Sequence, residues 1–88
     1  MTQAFLQVTY RKGKPWAAYL SIGQRRGRKV AVSRERGPVV IDLDAEGNIL
    51  GFELHTITPA GVERLKQELI AHELQELSNQ DLQPLVEA

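Results

Sequence analysis

The 88-residue sequence contains no cysteine, which excludes disulfides and thiolate metal sites as sources of its stability. It has no apolar run near the ~20 residues that a membrane-spanning helix needs. Its first residues, Met1 to Val8, lack both the positive start and the apolar core of a signal peptide. Together these absences lead us to expect a cytoplasmic protein that does not enter a membrane. Low-complexity runs are also missing, and with 42% hydrophobic and 25% charged residues the composition is that of a folded domain. Gly23-Gln24-Arg25-Arg26-Gly27 lacks the Gly-Lys-Ser/Thr ending of a phosphate loop, and no nucleophile is patterned with a base. An enzyme is therefore not expected, and no cofactor is implied. The length suits one small domain whose single core gives modest stability.

Net charge is absent only on average. Up to Arg36 there are nine Lys and Arg against one acid, Glu35; from Gly37 on there are two against ten. The halves thus carry +8 and −8. Such a split suits either mutual neutralisation within the fold or an oppositely charged partner.

What is present organises itself around residues 39–54, Val-Val-Ile-Asp-Leu-Asp-Ala-Glu-Gly-Asn-Ile-Leu-Gly-Phe-Glu-Leu. Two strands are expected there, 39–43 and 49–55, joined by a type I turn with Gly47 in the left-handed position. The first is apolar on both faces, which suits a place near the middle of a sheet. Upstream, alternation predicts a strand at 5–10 with Leu6, Val8 and Tyr10 on one side. A second is expected at 16–22 with Trp16, Ala18, Leu20 and Ile22 on one face, and a third at 29–34 with Val30 and Val32 inward. Short connections favour an antiparallel five-stranded meander over residues 1–57, followed by one C-terminal helix, an α+β fold.

Thr58 followed by Pro59 marks a helix start, because threonine caps free N–H groups and proline has none to leave unpaired. Apolar residues carry the expected helix to 77 in two stripes. Val62, Leu65 and Leu69 form one; Ile70, Leu74 and Leu77 form another, rotated away from it. Residues 78–88 are expected to be a short helical turn or a frayed tail. Five strands span about 24 Å, whereas one helix is ~10 Å across. The uncovered sheet and the offset stripe both point to a homodimer with Ile70, Leu74 and Leu77 as its partner face.

Asp42, Asp44, Glu46, Gly47 and Glu53 satisfy the spacing of an EF-hand calcium loop. The flanks do not suit it: Pro38-Val39-Val40-Ile41 is a poor entering helix and Gly51 weakens a leaving one. A hairpin turn in which Asp44 accepts hydrogen bonds uses the same residues more simply. His55 and His72 have no further ligands that the spacing supplies, so no metal is assigned.

The same stretch resembles the signature of the domain-of-unknown-function family 2283. The matching positions are Val39, Val40, Ile41, Asp42, Asp44, Gly47, Ile49, Leu50, Gly51, Phe52, Glu53 and Leu54, with Ala18-Tyr19-Leu20-Ser21-Ile22 similar to the family's tyrosine-containing strand. The resemblance runs over roughly residues 16–54. The basic Arg11, Lys12 and Lys14 depart from the acidic residues usual there, and the helix after Thr58 lies beyond the usual unit. The resemblance implies no catalytic residues. It does imply an antitoxin role, since members often stand beside small toxin-like ribonuclease proteins.

Two interaction surfaces follow. The acidic helix end and tail, 68–88, is the expected contact for a small basic protein. Alternatively, in a meander the first and third connections share one end of the sheet. Arg11, Lys12, Lys14, Arg34 and Arg36 would gather there as a patch for phosphate, nucleic acid or an acidic partner. The leading expectation is a non-enzymatic protein-interaction module, with nucleic-acid binding as the alternative.

Overall fold

A computed structural model describes residues 4–23, 29–74, Leu82 and Leu85. Five antiparallel strands, β1 (Ala4–Arg11), β2 (Lys14–Ile22), β3 (Val32–Arg36), β4 (Val39–Leu43) and β5 (Ile49–Leu54), are followed by one helix, α1 (Pro59–Ala71). The fold is α+β, with one sheet and one C-terminal helix, as the patterning predicts.

The sheet is not a sequential meander. Its order is β1-β2-β5-β4-β3, so β5 lies in the middle and pairs with both β2 and β4. Hairpin connections of two to five residues join β1 to β2, β3 to β4 and β4 to β5. Nine residues separate Ile22 from Val32. That is longer than a hairpin loop, and at ~3.3 Å per residue it reaches past the ~14 Å width of the two intervening strands.

Residues paired across antiparallel strands share a face, so the registers define rows through the sheet. On one face, Leu6, Leu20, Phe52, Ile41 and Arg34 follow one another, as do Val8, Ala18, Leu54, Val39 and Arg36. Both rows are apolar until they reach β3. The core forms here, with Val62, Leu65 and Leu69 of α1 packed over β4 and β5.

Thr58 caps the helix as its sequence predicts: Thr58 Oγ1 accepts a hydrogen bond from the Gly61 amide at 3.0 Å, ahead of Pro59 at the first turn. The β4–β5 turn also forms as expected. Gly47 adopts φ +84° in the left-handed region, which its missing Cβ permits. The Asp44 carbonyl accepts from the Gly47 amide at 3.1 Å, and the Asp44 amide donates to the Asn48 carbonyl at 2.9 Å.

Four local expectations are corrected. A register shift between Thr9 and Tyr10 breaks the alternation at the hairpin end, and Tyr10 and Trp16 are 60% and 52% exposed rather than inward. There Arg11 lies over the Trp16 ring at 5.5 Å. The third strand starts at Val32, and Val30 and Val32 are exposed, because the helix does not reach that edge.

α1 ends at Ala71, not at residue 77, and Glu73 turns into the left-handed region (φ +61°). The Leu74 amide then donates to the Leu69 carbonyl at 2.7 Å, which swings Leu74 back against the core. The second stripe is therefore no face of a straight helix: Ile70 is exposed, Leu74 is half-buried, and Leu77 lies outside the described residues. Finally, Leu82 and Leu85 are buried in the core cluster, with the Leu85 amide donating to the Leu82 carbonyl at 2.9 Å. The chain after the helix thus helps cover the sheet, so an incomplete core does not by itself call for a second subunit.

Candidate interaction face

The opposite face of the sheet is built from two rows of different chemistry. Gln7, Tyr19, Glu53, Val40 and Glu35 form one; Phe5, Ser21, Gly51, Asp42 and Ser33 form the other. Among these ten positions stand three carboxylates and two aromatic rings, and no Lys or Arg. No described helix packs across this face, since α1 lies on the apolar side.

Gly51 explains how the centre is held. A Cβ placed on it would lie 2.5 Å from the Tyr19 hydroxyl oxygen and 2.6 Å from ring carbons Cε1 and Cζ. The tyrosine ring therefore occupies the space above the glycine, crossing from β2 over β5 to β4. An aromatic laid over a strand glycine replaces the packing that the glycine itself cannot supply. The crossing ends in a hydrogen bond: Tyr19 Oη donates to Asp42 Oδ2 at 2.9 Å. From the other side Ser33 Oγ donates to Asp42 Oδ1 at 2.7 Å. Asp42 is buried, and both of its oxygens accept from side chains. This cluster ties β2, β4 and β3 together over β5.

The two aspartates of the Asp-Leu-Asp motif thus have separate work. Asp44 Oδ1 accepts from the backbone amides of Glu46 and Asn48 at 2.9 and 2.8 Å, and Asn48 Nδ2 lies 3.3 Å from Oδ2. That is the aspartate-stabilised turn its residue type favours. Glu46 is exposed at the turn, and Glu53 stands on the open face with His55 Nδ1 at 3.7 Å. Asp42, Asp44, Glu46 and Glu53 are not gathered around a common point, and among the described residues no group of three or more His, Asp or Glu is placed to hold a metal ion. Calcium spacing in the sequence does not become calcium geometry, because Asp42 accepts from Tyr19 and Ser33 while Asp44 accepts from the turn amides, and Glu46 is exposed at the turn.

The five cations are likewise divided. Their connections do share one end of the sheet, but Arg11, Lys12 and Lys14 belong to the β1–β2 hairpin, whereas Arg34 and Arg36 belong to β3 at the opposite edge. Strands β5 and β4 intervene. Arg34 and Arg36 lie on the helix side, where with His72 they rim an open groove of about 210 Å³ over Ile41, Leu43 and Ile49. His72 also tilts against Phe52, with ring centroids 6.2 Å apart. Of the acidic helix end, Glu68 is buried beside Arg64, whose Nε stands 3.4 Å from Glu68 Oε2. Residues 75–81, 83–84 and 86–88 of the expected acidic contact lie outside the described residues. No described helix is long and apolar enough to cross a membrane.

Sequence pattern alone does not mark Tyr19 and Ser33 as site residues. The signal that could have found them is Gly51, an isolated glycine inside a strand, which marks close approach of another group. Compared with known proteins, the chain matches no family model, and no curated protein or solved structure is significantly similar to it.

Proposed function

We propose that the chain is a non-enzymatic interaction module that presents its open sheet face to a small basic protein. The observation that carries this reading is the composition of that face: Glu35, Asp42 and Glu53 with no Lys or Arg among the ten paired positions, beside Phe5 and Tyr19. Like-signed carboxylates on a firm apolar and aromatic platform favour a cationic partner and repel an anionic one, including a phosphate backbone. The hydrogen-bonded Tyr19–Asp42–Ser33 cluster makes the platform rigid, so little ordering cost accompanies binding.

The resemblance of residues 16–54 to family 2283 supports reading the partner as a toxin-like ribonuclease and this chain as its antitoxin. The nucleic-acid alternative has less support, because its cations are spread over two edges of the sheet. In the same proposal the module acts as a homodimer.

Affinity capture from the source cell, run in parallel with wild type and a Glu35→Lys/Glu53→Lys variant, tests the main reading. A stoichiometric basic protein held by the wild type and lost from the variant is the expected result. Failure to recover such a partner, or equal retention by both chains, overturns it.

A further inference from the structure

We infer that β1 is the dimer interface, two copies pairing edge to edge into a continuous ten-stranded sheet. This rests on the homodimer proposed above and assigns its surface. The two edges of the sheet are chemically unlike. β3 is short, five residues, and three of them, Arg34, Glu35 and Arg36, are charged. Charges on a short edge strand are the usual protection against pairing with another copy. Full overlap of β3 with itself is centred on Arg34 and sets that guanidinium against its own counterpart, which is unfavourable.

β1 carries charge only at its last residue, Arg11. It is eight residues long, and Ala4 to Tyr10 contain no charged side chain. Among the described residues, its outer backbone edge pairs with no other strand. Phe5, 63% exposed, stands on one side of it; Ala4, Leu6 and Val8 stand on the other, only half-buried at the rim of the core.

A second copy fits this edge where a charged strand would not. Antiparallel overlap of the whole uncharged segment is centred on Gln7. Leu6 then faces Val8 of the second copy on the helix side, completing the burial of the core rim. On the open side Phe5 faces Thr9, an aromatic against a β-branched residue, a favourable cross-strand pair. No charge opposes another in this register. A two-fold axis normal to the sheet keeps both helices on one side, and both acidic faces remain open on the other.

The absence of native cysteine makes the geometry directly testable. Cα atoms of directly opposite residues in an antiparallel pair stand ~4.5–5.5 Å apart, within reach of a disulfide. Gln7→Cys under mild oxidation is therefore expected to give a covalent dimer, whereas Arg34→Cys, the position that would face itself if β3 edges paired, is not. Sedimentation of the untagged wild-type chain at micromolar concentration should show a dimer, and Gln7→Lys, which opposes two like charges at the centre, should weaken it about tenfold or more without lowering the melting temperature of the monomer. A monomeric wild type across the concentration range overturns the dimer itself. A dimer that neither cross-links through Gln7→Cys nor responds to Gln7→Lys overturns the assignment to β1 alone.

Discussion

Replacing Gly51 with alanine probes the packing that holds the open face together. The added Cβ would sit 2.5–2.6 Å from the Tyr19 ring and hydroxyl, against the ~3.5–4.0 Å of ordinary contact. The ring must lift by about 1 Å, and a hydrogen bond of 2.9 Å to Asp42 Oδ2 does not survive that displacement. Overpacking of this kind costs about 1–3 kcal/mol, and loss of a hydrogen bond to a carboxylate about 1.5–3 kcal/mol. The two do not add, because lifting the ring relieves the clash at the expense of the bond. Against this, alanine gains roughly 0.5–1 kcal/mol over glycine within a strand. The net expectation is a loss of about 1–2 kcal/mol, or a fall of roughly 5–15 °C in melting temperature for a domain of this size.

Urea unfolding followed by Trp16 fluorescence and by far-ultraviolet circular dichroism measures it. The decisive comparison is a double-mutant cycle. With Tyr19→Ala already in place the clash is gone, and Gly51→Ala should be neutral or slightly stabilising. Equal destabilisation in both backgrounds would refute the argument that the glycine exists to seat the tyrosine.

Leu82→Ala is expected to cost about 2–5 kcal/mol, since Leu82 is fully buried in the core cluster; a loss within the range of ordinary surface substitutions would mean that the chain after α1 does not cover the sheet. Calcium titration should leave the melting temperature unchanged, because Asp42 and Asp44 are each engaged with separate partners; a calcium-dependent rise would show that the four carboxylates of the loop can converge after all.

The turns and the helix start are the parts most legible in the sequence, and they share a property: each is determined by residues adjacent in the chain. Gly47 and Asp44 define a turn through the backbone conformation one allows and the amide bonds the other accepts. Thr58 and Pro59 start a helix by satisfying or omitting the N–H groups of its first turn. Alternation in 39–43 and 49–54 identifies two strands, and a hairpin is the shortest way to join them.

Features built from distant residues were less visible. Tyr19, Ser33, Asp42 and Gly51 come together from four strands, and no pattern of neighbouring residues gives a physical reason for their meeting. The reason is the register, in which Gly51 lies opposite both Ser21 and Asp42, leaving a gap for the ring of the neighbouring Tyr19. The second helical stripe shows the converse. Its rotation was real, but it arose because the chain leaves the helix at His72 and Glu73 and turns Leu74 inward.

The sequence by itself determined an α+β domain of five strands and a helix, its caps and turns, and the division of its charge, because propensity, capping and alternation act over a few residues. Only the tertiary structure decided the strand order, and with it which charges share a surface. Inserting β5 between β2 and β4 places Arg11, Lys12 and Lys14 at one edge and Arg34 and Arg36 at the other, while Glu35, Asp42 and Glu53 fall on the face that no described helix covers. That choice depends on long-range pairing, where the side chains of β2 and β5 must fit one another, and no local pattern records it.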